Sequence, residues 1–454
     1  AVEAYLAQKG LPESWAGTAR RELVSSLAKD APGRAVRWAD RAARALPPAG
    51  RAELFLTLAT SLLGAKGQEA AALRAARRAA ETPGASPRQR YAETLGLALR
   101  ASGRNAEARA ALEEALALNS GAFRAAGALA EIAEAEGRAE EHLRMRAQAF
   151  LARPSNESWD KLVAVYGDRS GLEEYLDARY TEMYPAAGHP EPYQPAAGRS
   201  GRTVLAELYT GAGCPPCAAA DLAFDGVLER YSREDVAVVM YHVHIPRPDP
   251  MANSATKQRW AWQKGRGVPT HAIDGQAAIG GGGRAEAPAV LKELRQKIEE
   301  RLSKPAGAKL NLAVRHEGGA VSARIETADL PAGRANLRLH AVLVERRLRY
   351  SGENGIRFHP MVARSIASFE VNGGGSVEHR FGLEEVAAAL ARDTDEFEKH
   401  DERHNKDGSF RFRVRMDRID PANLGVVAYI QDMETREVLQ SAYAGAPLAA
   451  RSAR

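Results

Sequence analysis

The sequence predicts a multidomain protein: an all-α solenoid over residues 1–184, an α/β domain over 202–304 and an all-β sandwich over 308–446. Three observations carry this. The first 184 residues are rich in Ala, Leu, Glu and Arg, have apolar positions at helical spacing, and partly repeat. From Thr203 short apolar runs alternate with helical stretches, which is the signature of a sheet covered by helices. From Lys309 the apolar residues fall at every second position between Gly-rich turns, as in half-buried strands.

In the helical part, Gly67, Gly103 and Gly137 each stand between two helical stretches. "YAETLGLALRASGRNAEARAALEEALALN" from Tyr91 superposes on "FRAAGALAEIAEAEGRAEEHLRMRAQAFLAR" from Phe123, with Gly103 over Gly137, Arg104 over Arg138 and Asn119 over Arg153, an offset of 34. The step from Gly67 to Gly103 is 36, so the earlier repeat is imperfect. On this period, and with Leu95, Gly96, Leu99, Ala108, Ala111 and Ala115 at small and apolar positions, the region resembles tetratricopeptide repeats. One helical hairpin cannot bury its apolar face alone, so about three to five of them would stack around a continuous core. The resemblance implies a surface for a peptide or protein ligand; a helical bundle without a ligand is the other reading.

A linker follows at 185–201, inside "YPAAGHPEPYQPAAGRSG", which is rich in Pro, Gly and Ala without apolar periodicity. Beyond it, "TVLAELYT" (203–210) and "VAVVMYHVHI" (236–245) read as strands around the helix "CAAADLAFDGVLERY". A helical stretch with Trp260 and Trp262, a strand in "GVPTHAIDG" and a helix from Ala287 to Leu302 complete the α/β part. In the sandwich, "LNLAVRH", "AVSARIET", "NLRLHAVLVE", "SFRFRVRMD", "LGVVAYIQD" and "VLQSAYA" read as strands, interrupted by a charged, partly helical insertion at 383–408 and ended by a flexible tail at 447–454.

Composition removes several classes. Lys plus Arg number 63 against 58 for Asp plus Glu, a net charge of +5, and no run of like charge is dense enough for nucleic acid or an acidic membrane. No stretch approaches the roughly 18 consecutive apolar residues of a membrane span. Only two cysteines are present, too few for a scaffold held by disulfides. The chain begins with Ala rather than Met, which leaves room for a signal peptide or lipid anchor before residue 1.

Both cysteines lie in "GAGCPPCAAAD", 211–221, three apart. Such a pair is a redox dithiol, half of a metal site, or a plain disulfide. A thiolate is favoured where a helix N-terminus points unpaired N–H groups at the sulfur. The helix is expected to begin at Cys214 with two prolines in its first turn, where a missing N–H costs nothing. Cys217, one turn on, is then within reach of a disulfide formed on Cys214.

Strand, Cys-x-x-Cys, helix, strand and then "GVPT" before another strand resemble the thioredoxin fold over about 203–303. The resemblance implies that Cys214 attacks, Cys217 resolves, and Pro269 is a cis residue shaping a substrate groove lined by Val268, Thr270, Pro215 and Pro216. It also implies a role for Glu207, an acid in an apolar strand that resembles the family's buried proton-handling carboxylate. The family's acid usually lies six positions before the first cysteine, and here the offset is seven. A strand-end Glu facing solvent is the other reading. Neither Pro215 nor Pro216 can donate an N–H to the thiolate or carries a cation, so the pair is expected to be reducing to intermediate, below about −200 mV rather than near −120 mV.

His242 and His244 alternate onto one face of the second strand, and with the cysteines would supply two sulfur and two nitrogen ligands to zinc. Lining the groove, or shifting the titration of the dithiol, is the bland alternative. "HDERH" at 400–404 has the spacing of a zinc helix, but its charged surroundings read as a solvated loop or helix. "GGGG" at 280–283 lacks a phosphate-loop frame and reads as a flexible turn. No metal site is therefore assigned.

"YHVHIPRPDPMAN", "GRGVPTHAIDG" and "RYSGENGIRFHPMVAR" (349–364), the last contributing Tyr350, Gly352, Asn354, Gly355, His359 and Arg364, resemble secreted bacterial thioredoxin-like proteins of the outer-membrane type. The resemblance implies an extracytoplasmic protein, in the periplasm or associated with the outer membrane. The function expected is thiol-disulfide exchange on protein substrates, without metal or organic cofactor, with a redox partner that recharges the dithiol. Two alternatives stand beside it: an adaptor with an inert redox domain, and a metal-handling protein using the Cys pair and the two histidines.

Overall fold

Alanine and leucine at helical spacing build the first of the two units into which the chain divides, residues 1–185. The computed structural model describes residues 5, 12–83, 87–184, 190–195, 200–334, 336–371, 373–400, 405 and 408–446. Ten helices are described in the first unit: α1 (Glu13–Asp30), α2 (Pro32–Ala43), α3 (Pro48–Leu62), α4 (Glu69–Ala80), α5 (Arg88–Ala101), α6 (Asn105–Leu118), α7 (Phe123–Ala135), α8 (Ala139–Ala152), α9 (Asn156–Tyr166) and α10 (Leu172–Met183). Neighbours pack most closely as the pairs α3 with α4, α5 with α6 and α7 with α8. One apolar core runs through them, from Val24 to Met145.

The repeated glycines end helices. Gly103 and Gly137 sit at φ +73° and +69°, a left-handed conformation that only glycine adopts without cost. After each, an arginine N–H reaches back five residues, Arg104 to the Leu99 carbonyl and Arg138 to the Ala133 carbonyl. This is the same helix-ending motif twice, at the offset of 34 seen in the sequence. The second unit, 186–454, contains the sheets. The expected helical N-terminal part and sheet-bearing remainder are thus both present. Among the described residues no helix is long and apolar enough to cross a membrane.

The second unit is built from β1 (Val204–Thr210), α11 (Cys217–Arg230), β2 (Val236–His242), α12 (Ser254–Gln263), β3 (Thr270–Ile273), β4 (Gln276–Ile279), α13 (Ala287–Leu302), β5 (Lys309–Glu317), β6 (Ala320–Ala328), β7 (Leu337–Arg349), β8 (Phe358–Glu370), β9 (Gly375–Gly382), α14 (Leu383–His400), β10 (Leu424–Asp432) and β11 (Val438–Gly445). Eight strands form one mixed sheet in the order β11-β10-β7-β8-β2-β1-β3-β4, and β5-β6-β9 form a second sheet. The uninterrupted apolar β1 and β2 pair in parallel from Val204 with Val236 to Thr210 with His242, and both are buried along their length. β11 lies at the far edge in order, yet Val438 N–H donates to the Asp274 carbonyl and Ser441 Oγ to the Thr203 carbonyl. The large sheet therefore coils back on itself.

Here the structure departs from the sequence reading. An independent sandwich over 308–446 does not form. β7, β8, β10 and β11 complete the sheet begun by β1 to β4, through a parallel pairing of β2 with β8 at Met240 and Val362. Among the described residues, sandwich-like packing survives where β5, β6 and β9 cover the β7/β10 region around Leu339, Leu343, Val321 and Ile325. Local periodicity cannot show which strands pair, so a boundary at 304–308 looked natural. "SFRFRVRMD" is no strand: its apolar alternation serves aromatic packing, with Phe410 and Phe412 at 6.0 and 5.5 Å from Phe397 of α14. β8 and β9 take that place in the sheets.

The charged insertion is also more ordered than its composition suggests. Leu383, Val386, Leu390 and Glu398 of α14 are buried, so one face of it joins the core. His400 ends this helix, while residues 401–404 of "HDERH" lie outside the described residues, as does the tail from 447. Of the linker, residues 190–195 and 200–201 are described, and Tyr193 is pinned to the C-terminal end of α11, its N–H donating to the Arg230 carbonyl and its ring 5.3 Å from Tyr231.

Gly96 offers a test of the repeat packing. A Cβ there would lie 2.6 Å from Leu112 Cγ, inside the α5/α6 contact, and Leu112 is fully buried. In an open helix Gly→Ala stabilises by about 1 kcal/mol. At Gly96 the overpacking outweighs that gain, so Gly96→Ala is expected to lower unfolding free energy by about 1–2 kcal/mol in a urea titration.

Candidate active site

β1 delivers the chain to the loop 211–216, and α11 starts at Cys217, three residues later than expected. The two prolines form a turn ahead of the helix instead of its first turn, closed by Cys217 N–H to the Cys214 carbonyl at 3.1 Å. Cys214 and Cys217 form a disulfide with their Cα atoms 5.4 Å apart. Both are buried, at 1% and 0% exposure, while Pro215 and Pro216 are exposed.

Four segments meet this loop. The Val268–Pro269 peptide is cis, and the Val268 carbonyl oxygen lies 3.8 Å from Cys214 Sγ. Thr270 is buried beside it, its hydroxyl donating to the Gly267 carbonyl. The glycine run 280–283 is a fitted strap: Gly282 N–H donates to the Pro216 carbonyl at 2.7 Å, and the Gly282 carbonyl accepts from Ala219 N–H in the first turn of α11. A Cβ on Gly281 would meet Pro216 O at 2.3 Å and Pro269 Cγ at 2.4 Å, so only glycine passes there. Finally, the segments after β2 and after β7 clamp the loop's backbone. Ala212 N–H donates to Asp249 Oδ2 at 2.6 Å, and the Ala212 carbonyl accepts from Asn354 N–H at 2.9 Å.

The structure therefore brings Cys214, Cys217, Pro215, Pro216, Val268 and Pro269 together. It also recruits the 349–364 motif, whose Asn354 reaches the loop and whose Tyr350 carbonyl holds His359 Nε2 at 2.9 Å. The histidines of β2 go elsewhere than to the cysteines. His242 Nδ1 pairs with Asp249 Oδ2 at 2.8 Å, and His244 Nδ1 accepts from Asp249 N–H while its ring stacks on Phe397 at 3.8 Å. His244 already lies beyond the end of β2, which breaks the alternation that would have put the two rings on one face. Among the described residues no group of three or more His, Cys, Asp or Glu could hold a metal ion.

Glu207 is buried, but with a different purpose from the one its sequence position suggests. Thr210 faces α11, since its hydroxyl bonds Asp221 there, so strand alternation turns Leu208 toward α11 and Glu207 to the opposite face. On that face Glu207 Oε1 accepts from Arg259 Nη2 at 2.9 Å and Nε at 3.2 Å, in a cage with Tyr209, Tyr241, Trp262 and Tyr429. Burial opposes the charge on Arg259, but Glu207 together with Tyr429, Tyr209 and Tyr241 outweighs it, holding the guanidinium well above its ordinary value.

The carboxylate that sequence reading missed is Asp221, one turn after Cys217 and 2% exposed. Its Oδ1 accepts from Thr210 Oγ1 at 2.8 Å and its Oδ2 from Asn354 Nδ2 at 3.1 Å, both uncharged donors. Burial pushes its carboxyl up to about 7. Burial, and then Asp221 itself, push Asp225 on the next turn to about 8. Asp249 goes the other way: burial would raise it, but His242 and the N–H groups of Ala212 and Met251 hold it at about 2. Burial lowers His359 to about 3, and neighbouring His242 adds to this. An acid four residues after Cys217 in an otherwise Ala-rich first turn was the available signal.

No family model and no curated protein matches the chain. Among solved structures it is similar to a structural-genomics protein from Agrobacterium tumefaciens, at 13% identity and a TM-score of 0.34, over 55% of this chain and 96% of that one. It is also similar to a mutant O-GlcNAc transferase from Thermobaculum terrenum, at 19% identity and a TM-score of 0.25, over 48% of this chain and 41% of that one.

Two expectations follow from the buried charges. Arg259→Leu strands Glu207 and should cost about 3–5 kcal/mol in urea unfolding, whereas the double variant with Glu207→Leu should cost clearly less than that. Asp221, beside His242, Asp249 and Asp225, is tolerated best in its neutral form. Its contribution is complete below its unfolded value of about 3.9 and is lost as pH rises through about 7. Asp221→Asn should therefore flatten the fall in stability between those limits, measured by urea titrations across the range.

Proposed function

We propose that the chain is a thiol-disulfide oxidoreductase acting on protein disulfides or dithiols. In this reading β1, α11, β2, β3, β4 and α13 form a thioredoxin-like core, and the helices of the first unit form a tetratricopeptide-like solenoid. The observation that carries it is the junction of the Cys214–Cys217 pair, at the start of α11, with the cis Val268–Pro269 peptide. In the reduced protein the Cys214 thiolate attacks a substrate disulfide and forms a mixed disulfide. Cys217 then attacks Cys214, releasing the substrate thiol and closing the bridge, and a redox partner reopens it. The chemistry calls for no metal or organic cofactor. An extracytoplasmic setting belongs to the same reading and rests on the resemblance of the 349–364 motif.

A protein ligand of the first unit is supported by a groove lined by Arg100, Phe123, Arg124, Arg146, Arg153 and Lys161, in which the Arg153 guanidinium lies 4.7 Å over the Phe123 ring. One observation favours a second reading, an adaptor whose bridge is permanent: both cysteines are buried in the oxidised form.

Alkylation of the purified protein across a glutathione and dithiothreitol series separates the two. Exchange predicts a reversible transition between about −300 and −180 mV, lost in Cys214→Ser, with a Cys214 thiol titrating below the free value of about 8.5. A bridge that stays closed at far lower potential points to the adaptor, and a midpoint above about −150 mV removes the argument drawn from the two prolines.

A further inference from the structure

We propose that Asp221, rather than Glu207, is the base that takes the proton from Cys217 when that thiol resolves the mixed disulfide. The inference rests on the exchange reading above and names a residue within its machinery.

Three features single out Asp221. Position comes first: residues four apart on a helix lie on one face with Cβ atoms about 5–6 Å apart, so Asp221 stands directly beneath Cys217 on the buried side of α11. Second, its partners are the Thr210 hydroxyl and the Asn354 amide, neutral donors that hold the carboxylate without neutralising it. A carboxylate whose hydrogen-bond donors are neutral gains by accepting a proton in a dry site, since burial outweighs the opposing pull of His242, and its titration near 7 is matched to that task. Third, the rival acids are spoken for. Glu207 points to the other face and is bound by Arg259. Asp249 is held ionised by His242 and two backbone N–H groups, too weak a base for a thiol. Asp225 is a further turn away from the sulfur.

The step balances as follows. The Cys217 proton passes to Asp221, the Cys217 sulfur bonds to Cys214 Sγ, the bond from Cys214 to the substrate sulfur breaks, and its electron pair leaves on the substrate as thiolate. Asp221 ends neutral, the form that its burial favours. His242 on β2, Asp249 in the following loop and Asp225 on α11 are the titratable groups that face Asp221 and set its field.

The test uses the reduced full-length chain and the aryl disulfide 5,5′-dithiobis(2-nitrobenzoate). Attack by Cys214 releases one thionitrobenzoate, and resolution by Cys217 releases the second. Asp221→Asn is expected to leave the first phase within about twofold and to slow the second by about 10- to 100-fold at pH 7. In the wild type the second rate should rise through an inflection near pH 7 that the variant lacks. Thr210→Val removes a donor that favours the carboxylate, and should move the inflection to higher pH. An unchanged second phase in Asp221→Asn overturns the proposal. If that variant does not fold, an inflection that stays in place in Thr210→Val overturns it instead. Failure of the wild type to release either thiolate removes the exchange reading itself, and this proposal with it.

Discussion

The parallel contact of β2 with β8 is the constraint on which the second unit turns. It is short, with Met240 opposite Val362, yet it joins strands more than 100 residues apart into one sheet. By placing β8 beside β2 it also sets the segment between β7 and β8 against the loop that carries the cysteines. Ala212, Met251, Leu348 and Val362 form a small apolar cluster there, and Asn253 Nδ2 bonds the Ala363 carbonyl to hold the segment after β2 in place. The cysteine loop is therefore held by the C-terminal half of the unit as much as by its own neighbours.

Charges inside this unit are buried in pairs, and each pair marks a seam. Asp274, at the end of β3, accepts from Arg202 Nη1 at 2.7 Å and Arg301 Nε at 2.9 Å, tying the entrance of β1 to the end of α13. Arg364 meets Glu345 at 3.0 Å across β7 and β8, and Arg259 meets Glu207 between α12 and β1. Such pairs add little net stability against apolar replacements, but removing one partner alone is costly. They fix which elements meet. Asp221 stands apart from this pattern, since its hydrogen-bond donors are neutral.

Much of this was legible in the sequence. α13 begins and ends at Ala287 and Leu302 as its periodicity indicates, and β5, β6, β10 and β11 fall where alternation places them. The repeated glycines were readable because a left-handed helix end has few alternatives to Gly. What escaped was non-local. The face of Glu207 depends on strand parity, and an offset of seven rather than six turns the side chain over. The apolar alternation of Phe410 and Phe412 mimics a strand while serving a cluster with Phe397. The fusion of two expected domains was invisible because no local pattern records that β2 has a second neighbour.

The clamp by Asn354 has a further consequence. Its backbone N–H holds the Ala212 carbonyl and its side chain holds Asp221, so one residue of the later chain touches both the cysteine loop and the first turns of α11. Any rearrangement of that loop between bridged and open cysteines is felt by this clamp, and through it by β7 and β8. Because the thermodynamic cycle must close, whatever opening the bridge costs the clamp, a tightened clamp charges to the opening of the bridge. The electron affinity of the sulfur pair is in this sense a property of the whole sheet, and a ligand that gripped the 350–357 segment would tune it without approaching the sulfurs.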